Sequence, residues 1–304
     1  MLYKVKRQAA TAWFGLNAGK IFQTPPLDCD SGSNAVFVSQ VCHRDLAMYL
    51  LAVKSLGQFV RPKTVFIVDD TSLTLTDKEI LRHHIQPLEI IPTTTIDNTV
   101  CPIGGCWERL LFISDCVSMA YVVQLDSDTL TIKTPAIVMD HISKNLSFTL
   151  GEWRGQNIGC ARDAAKSVSH LVKEGNDHVQ LVSESKLQQL NYDKELRYVR
   201  GNAGFAGFAK GSFSRCLVER FSKEMANLIG GKKWSEWGSE QVTSNFVVAN
   251  SPNAQVLPFP EYCFHTPDAD VETATFIHFI GSYRFNGGRY GRLARRVIQQ
   301  LQES

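Results

Sequence analysis

Short apolar runs alternate with segments of helical spacing through the first half of the chain. The predicted strands are residues 35–40 (AVFVSQ), 63–70 (KTVFIVDD), 88–93 (LEIIPT) and 121–128 (YVVQLDSD), and the predicted helices are residues 45–59, 76–84 and 106–120. The middle helix is predicted from its start, where Thr76 and Asp77 precede Glu79 in the first turn. Strands that alternate with helices in this way predict βαβ units and a mostly parallel sheet. Ligands of such sheets bind beyond the carboxyl ends of the strands.

The pattern changes after Pro135, where elements are mixed. A polar helical stretch covers residues 161–190, a Gly-rich segment covers 201–211, and a helix over 212–229 ends at two glycines. A short apolar strand, TFI, precedes His278, and residues 289–302 form a basic helical tail. The first 33 residues show no clear period and are expected to be an extension. We therefore divide the chain into residues 1–33, 34–284 and 285–304, with a boundary near residue 135 inside the central part.

Composition limits the class of protein. The 304 residues are 44% hydrophobic and carry a formal net charge of +2, which excludes disordered and fibrous classes and gives no general attraction to nucleic acid. No cysteines form a CxxC pair, and Cys42, Cys116 and Cys216, in apolar surroundings, are predicted to be buried thiols. Because such thiols favour a reducing compartment and no apolar run reaches about 18 residues, we expect a cytoplasmic protein without a membrane span.

The strongest chemical candidate is the triplet Asp126-Ser127-Asp128. Two further Asp-x-Asp triplets begin at Asp28 and Asp268, so the pattern alone is weak. The Asp126 triplet differs because it follows the apolar strand YVVQL, at the end where α/β sheets bind ligands. Residues i and i+2 of a strand point to one side, and two carboxylates there suit Mg²⁺ or Mn²⁺. The alternative is a solvated acidic turn.

Other polar residues could act together with this triplet. Arg109, on the preceding helix, could reach a carboxylate or a phosphate, and His278 could complete a metal shell; each could instead be structural. The Gly-rich segment does not fit a dinucleotide fingerprint, but Asn202 within it could bind sugar hydroxyls. Glu240 and Gln241 begin an apolar helix, where capping is the alternative role.

Taken in order, these segments resemble the retaining glycosyltransferases of family eight over about residues 35–285. The family's Arg-Leu pair before the DxD strand resembles Arg109-Leu110, and its Asn-Ala-Gly motif resembles residues 202–204. Its acid-Gln pair is similar to residues 240–241, with Glu where Asp is usual. Its C-terminal His-x-x-Gly-x-x-Lys-Pro-Trp resembles residues 278–284, with Arg284 in place of Lys and without Pro-Trp.

The resemblance implies a GT-A nucleotide-diphospho-sugar transferase fold, in which a mixed, mostly parallel sheet is flanked by helices. The central part would be the catalytic domain, with residues 34–135 binding the nucleotide and 136–284 binding sugar and acceptor. Mn²⁺, or alternatively Mg²⁺, would be held by Asp126, Asp128 and His278. The donor-binding residues would be Ser39, Asp45, Asp70, Arg109, Asp126, Ser127, Gly204, Gly281 and Arg284. Asn202, Glu240 and Gln241 would be the catalytic residues.

The predicted function is transfer of a hexose from a UDP-sugar to a glycan or lipid-linked acceptor, with retention of configuration. The basic tail could rest on an anionic membrane surface, although a solvated helix is the alternative. A sugar nucleotidyltransferase is less consistent with residues 39–49 (SQVCHRDLAMY), which lack a Gly-rich phosphate loop. A catalytically silent relative would not need three buried metal ligands. No basic face with interleaved aromatic residues indicates nucleic acid.

Overall fold

Helices and strands alternate through the part of the chain that the structure, a computed structural model, describes: residues 2–267 and 271–303. The triplet at Asp268 lies outside these residues. The helices are α1 (Leu2–Ala18), α2 (Leu46–Gly57), α3 (Leu75–His84), α4 (Trp107–Cys116), α5 (Ala136–Ser143), α6 (Ala161–Lys173), α7 (Val179–Glu184), α8 (Arg215–Ile229), α9 (Gly231–Trp234), α10 (Ser239–Ala249) and α11 (Arg289–Glu303). The strands are β1 (Leu27–Asp28), β2 (Ala35–Val41), β3 (Val65–Asp69), β4 (Ile85–Gln86), β5 (Leu88–Pro92), β6 (Tyr121–Leu125), β7 (Thr129–Thr131), β8 (Phe148–Leu150), β9 (Gly159–Cys160), β10 (Arg197–Tyr198), β11 (Asn202–Phe208), β12 (Gln255–Leu257), β13 (Tyr262–Phe264) and β14 (Phe276–His278).

A seven-stranded sheet forms the centre of the fold, with the order β12-β8-β11-β6-β2-β3-β5. β11 pairs antiparallel with both β6 and β8, whereas the remaining neighbours are parallel. The sheet is therefore mixed and mostly parallel, as predicted. Because β11 runs in the opposite direction, its first residues lie at the same edge as the carboxyl ends of β2, β3 and β6.

Two apolar cores cover the two faces of this sheet. Phe37 and Val41 of β2 face a core that includes α2 and α11, whereas Val36 and Val38 face a core that includes α4, α8 and α10. This alternation follows from the period of two in a strand. Both faces of β2 are apolar because both are covered by helices.

Three local predictions change in the structure. Helix α3 begins one residue before Thr76, because Thr74 caps it in a reciprocal capping box with Asp77. The polar helical stretch over 161–190 divides into α6 and α7, with Gly175 in the left-handed region between them. Cys216 is exposed, not buried, because α8 turns Val218 and Phe221 towards the core instead.

The two ends of the chain meet. Helix α1, which the sequence pattern did not predict, packs against α11, and Phe14 contacts Tyr290 with ring centroids 4.3 Å apart. Tyr290 and Leu293 lie on the buried face of α11, so the basic residues of this helix point outward. A second, three-stranded sheet, β13-β14-β7, brings His278 at the end of β14 to the central sheet.

Among the described residues, no helix combines the length and the apolar character that a bilayer crossing requires.

Candidate active site

A cavity of about 550 Å³ opens at the carboxyl ends of β2, β3 and β6 and the start of β11. Thirteen of the predicted site residues line it: Asp45, Asp70, Arg109, Asp126, Ser127, Asp128, Asn202, Gly204, Glu240, Gln241, His278, Gly281 and Arg284. Residues more than 200 positions apart in the sequence thus share one cavity.

Ser39 does not line this cavity. Its side chain is fully buried on the same face of β2 as Phe37, whereas the next residue, Gln40, lines the cavity. The lining of the cavity begins one residue later, at Gln40 and Val41 near the carboxyl end of β2, so Ser39 lies too far back along the strand. The hydroxyl of Ser39 is therefore not available to a molecule bound in this cavity.

Asp126, Asp128 and His278 form the centre of the site. One ligand atom from each lies within 4.8 Å of the other two. His278 Nε2 is 3.0 Å from Asp128 Oδ1 and 3.9 Å from Asp126 Oδ2. The two carboxylates converge because residues 126–128 form a turn between β6 and β7, closed by the hydroxyl of Thr129, which donates to the carbonyl of Asp126 at 2.9 Å. The predicted strand over residues 121–128 therefore ends at Leu125, before the two aspartates.

Asn202 and Gly204 fix the orientation of His278. The backbone N–H of Gly204 donates to Asn202 Oδ1 at 2.9 Å, so this oxygen is an acceptor, and His278 Nδ1 lies 2.8 Å from it. Nδ1 must then carry a proton. In this tautomer of the neutral ring, Nε2 directs a lone pair at the two carboxylates, and the three groups together form a ligand set for a cation.

Gly204 has a steric role in this arrangement. A Cβ at this position would overlap the imidazole ring of His278, so only glycine lets β11 approach it. The carbonyl of Gly204 also accepts from the backbone N–H of Asp126 at 2.9 Å. The Gly-rich segment is therefore a buried strand that packs against Asp126, Asp128 and His278, the three predicted metal-binding residues, which we name the metal-ligand cluster.

Two arginines balance the two carboxylates. Arg284 donates to Asp128, and its Nε donates to the carbonyl of Phe279 at 3.0 Å. Arg109, which is buried, donates to Asp126 and lies 3.4 Å from Glu240 Oε1. Burial opposes the charge of Asp128, but His278 and Arg284 lower its pKa below the ordinary value. Burial likewise opposes the charge of Arg109, yet the nearby carboxylates raise its pKa above the ordinary value.

Glu240 lies at the start of α10, beside Arg109. Burial raises the pKa of Glu240 to about 7, although Arg109 favours its charged form. A hydrogen bond holds this helix start in place, since Trp107 Nε1 donates to Ser239 Oγ at 2.9 Å. Gln241 also lines the cavity and is partly buried. A carboxyl group and an amide therefore face the cavity next to the metal-ligand cluster.

Sequence reasoning missed several lining residues, including Gln40, Met48, Cys106, Trp237 and Ile280. Most are apolar or uncharged, so residue type carried no chemical signal. Each of these five residues lies within three positions of a predicted site residue, and this nearness in the sequence was the available signal. Trp237 is conspicuous among them because most of its side chain is exposed.

The sequence matches no protein-family model, and a comparison with curated proteins finds no significant match. Among solved structures, the bifunctional glycosyltransferase WbbM in its apo form has a TM-score of 0.51 at 12% identity, covering 90% of this chain and 52% of WbbM. This chain thus spans about half of WbbM. An active-site mutant of LgtC has a TM-score of 0.48 at 10% identity, covering 85% of this chain and 95% of LgtC. Core-mannan synthase A from Aspergillus fumigatus, in a form with Mn and GDP, has a TM-score of 0.43 at 10% identity, covering 90% and 87%.

At this level of identity the likeness to WbbM shows the fold alone. The chain has the GT-A fold, a mixed and mostly parallel sheet flanked by helices, which confirms the fold class predicted from the sequence.

Proposed function

We propose that this protein is a metal-dependent glycosyltransferase that uses a nucleotide-diphosphate sugar. The observation that carries the proposal is the convergence of Asp126, Asp128 and His278, with Nε2 of His278 directed at both carboxylates. This cluster lies at the edge of the sheet where α/β proteins bind ligands. The GT-A fold supports the same reading.

The cluster suits a divalent cation. Carboxylate oxygens and an imidazole nitrogen are ligands that Mn²⁺ accepts, and Mg²⁺ remains the alternative for the carboxylates. The charges of Arg109 and Arg284 already offset those of the two aspartates, so a bound divalent ion would leave the site positive. When bound, the ion would offset the negative charge that a departing diphosphate gathers.

The remaining side chains have separate tasks in this proposal. Arg284 would bind diphosphate oxygens with its planar fork. Asn202 would keep His278 in the tautomer whose Nε2 can act as a ligand. Arg109 would hold the carboxylates of Asp126 and Glu240 in fixed positions. Glu240 and Gln241 would face the reacting sugar, and transfer with retention of configuration rests on the family-eight resemblance.

The order of strands supports a direction for the donor. Asp45 and Asp70 line the cavity after β2 and β3, on one side of the metal-ligand cluster. Helix α10, with Glu240, packs against β11 on the other side. The nucleotide would therefore lie towards β3, the diphosphate at the centre and the hexose towards α10. We propose UDP as the nucleotide and a glycan or lipid-linked acceptor.

Titration calorimetry of the protein with UDP, with and without Mn²⁺, tests the donor site. We expect binding that requires Mn²⁺ and that Asp128→Ala abolishes. Asp28→Ala is the matched control, because Asp28 belongs to another Asp-x-Asp triplet, is exposed and lies outside the cavity. Absence of metal-dependent binding of UDP, GDP and ADP alike would refute the proposal.

The two alternative functions give different results in the same preparation. A glycosyltransferase should slowly hydrolyse its UDP-sugar when no acceptor is present. A sugar nucleotidyltransferase should instead release pyrophosphate from a sugar phosphate and a nucleoside triphosphate. A silent relative would bind the nucleotide but perform neither reaction.

We also propose a peripheral contact between α11 and an anionic membrane. Arg292, Arg295 and Arg296 lie on its exposed side, and Trp13 of α1 is beside them. Arg292 also forms an ion pair with Glu272 at 2.6 Å. Cosedimentation with phosphatidylglycerol vesicles, absent with phosphatidylcholine vesicles and lost in Arg295→Glu, is the expected result; equal binding to both lipids would contradict it.

A further inference from the structure

Trp237 is the most exposed tryptophan of the chain. Its relative exposure is 74%, compared with 52% for Trp153 and 39% for Trp13, while Trp107 and Trp234 are buried. Yet Trp237 also lines the active-site cavity. An indole held in solvent costs free energy that a folded protein normally avoids by burial. Exposure of this indole beside the cavity is therefore consistent with a role in binding.

The turn that carries Trp237 is fixed at both ends. On one side, Trp234 Nε1 donates to Ser222 Oγ at 2.9 Å within the core. On the other side, Ser239 Oγ accepts from Trp107 Nε1 at 2.9 Å. Between them, Gly238 has a φ of 104°, which only glycine adopts readily. The backbone around Trp237 is therefore held in place, which limits how far the indole can fold down onto the surface.

Trp237 lies at the end of the active-site cavity where helix α10 begins. The turn precedes α10 directly, so Trp237 lies three residues before Glu240. Helix α10 packs against β11 and β8, on the side of the metal-ligand cluster opposite to Asp70 and β3. If the nucleotide lies towards β3, as proposed above, Trp237 lies beyond the transferred sugar. This is where an acceptor must enter.

We propose that Trp237 is an acceptor subsite, a flat platform on which a pyranose ring of a glycan acceptor stacks. One face of a pyranose carries mainly C–H bonds, and an aromatic ring offers a rigid apolar surface with a negative face that suits such hydrogens. The side chain loses little conformational entropy on binding, because it has two rotatable bonds. The acceptor class would thus be a glycan with a sugar near the reacting hydroxyl. This inference rests on the proposed function.

The test follows the indole N–H resonances of the ¹⁵N-labelled protein, with the Trp237 signal assigned by its loss in Trp237→Phe. The probes are lactose, maltose and methyl β-glucopyranoside, each titrated with and without UDP and Mn²⁺. Sugar affinity in every variant is measured by saturation transfer to the sugar protons. We expect the Trp237 signal to shift, and Trp237→Ala to weaken sugar binding roughly tenfold or more. Trp237→Phe should stay within about threefold, since it keeps an aromatic face.

Trp153→Ala is the matched control, because Trp153 is also exposed but lines a different groove. It should leave sugar binding unchanged, and both alanine variants should bind UDP like the wild type. The proposal is overturned if no probe sugar shifts the Trp237 signal, or if Trp237→Ala binds sugar as tightly as the wild type. The proposal is also overturned if the Trp237 signal shifts only with protein concentration or only with lipid vesicles. Such a shift would indicate that Trp237 contacts a second copy of the chain or a lipid chain instead of a sugar. If the wild type does not bind UDP, the proposed donor site is refuted but the proposed acceptor subsite is not, because the sugar titration without nucleotide is an independent measurement.

Discussion

The substitution Gly204→Ala isolates the geometry of the metal-ligand cluster without changing any polar group. The added Cβ would lie 2.7 Å from His278 Nε2, and closer still to two other ring atoms. Contacts between such atoms are comfortable at about 3.5–4.0 Å. Either the imidazole or strand β11 must therefore move.

Either movement damages the cluster. A shift of the ring disturbs the 2.8 Å contact with Asn202 Oδ1 and the 3.0 Å contact with Asp128 Oδ1. A shift of the strand instead displaces Asp126, whose N–H donates to the carbonyl of residue 204. Overpacking of this kind costs roughly 1–3 kcal/mol of stability. We expect the metal affinity to fall by roughly 10- to 100-fold, as when groups that orient metal ligands are removed.

Calorimetry of Mn²⁺-dependent UDP binding measures this loss, and thermal unfolding measures stability separately. The matched control is Gly207→Ala on the same strand, where a Cβ would overlap Phe148 and Tyr121 in the core instead. It should lower stability but change nucleotide binding by less than about threefold. Binding of UDP by Gly204→Ala like that of the wild type, or an equal loss of binding in both variants, would contradict this steric role of Gly204.

Three further predictions concern stability. Burial raises the pKa of Glu240 from 4.5 to about 7, so between these pH values the folded state keeps a proton that the unfolded chain loses. The free energy of unfolding should therefore fall by up to about 3 kcal/mol as the pH rises from 4.5 to 7. Urea unfolding at pH 5 and pH 8 should show a smaller fall in Glu240→Gln than in the wild type. Lys54 Nζ lies 2.8 Å from His84 Nδ1, and burial lowers the pKa of Lys54 from 10.5 to about 8. The free energy of unfolding should therefore rise as the pH rises from 8 to 10.5, and a rise of the same size in Lys54→Met would contradict this assignment. Trp107→Phe removes the donor to Ser239 Oγ and should lower the free energy of unfolding by denaturant by about 1–3 kcal/mol. UDP binding should also weaken, because the start of α10 is no longer held in place. Unchanged UDP binding would show that this hydrogen bond does not position the helix.

The metal-ligand cluster shows how far the sequence reasoning reached. Asp126 and Asp128 could be singled out because an apolar strand precedes them, and the structure brings His278 to within 3.0 Å of Asp128. The predicted continuous strand was wrong at its end, since a turn after Leu125 directs the two carboxylates together. Ser39 was a candidate by position only, and its side chain is fully buried.

Local patterns in the sequence determined which segments form strands and helices in residues 35–128, because apolar periodicity is a property of neighbouring residues. They also marked the ends of strands where polar groups could collect. Family resemblance added the order of the distant motifs. The division of the chain at residues 33, 135 and 284 stays a prediction.

Only the tertiary structure decided which distant groups meet. The resemblance made Gly204 a donor-binding candidate, but the structure shows that its lack of a side chain makes room for His278, which lies 74 residues later. Trp237 carried no signal, because exposure depends on what packs around a residue and not on its neighbours in sequence. The helix α1, without a clear period, is stabilised by packing against α11 at the other end of the chain. Long-range packing sets burial, orientation and charge balance, and these properties arise only when the chain is folded.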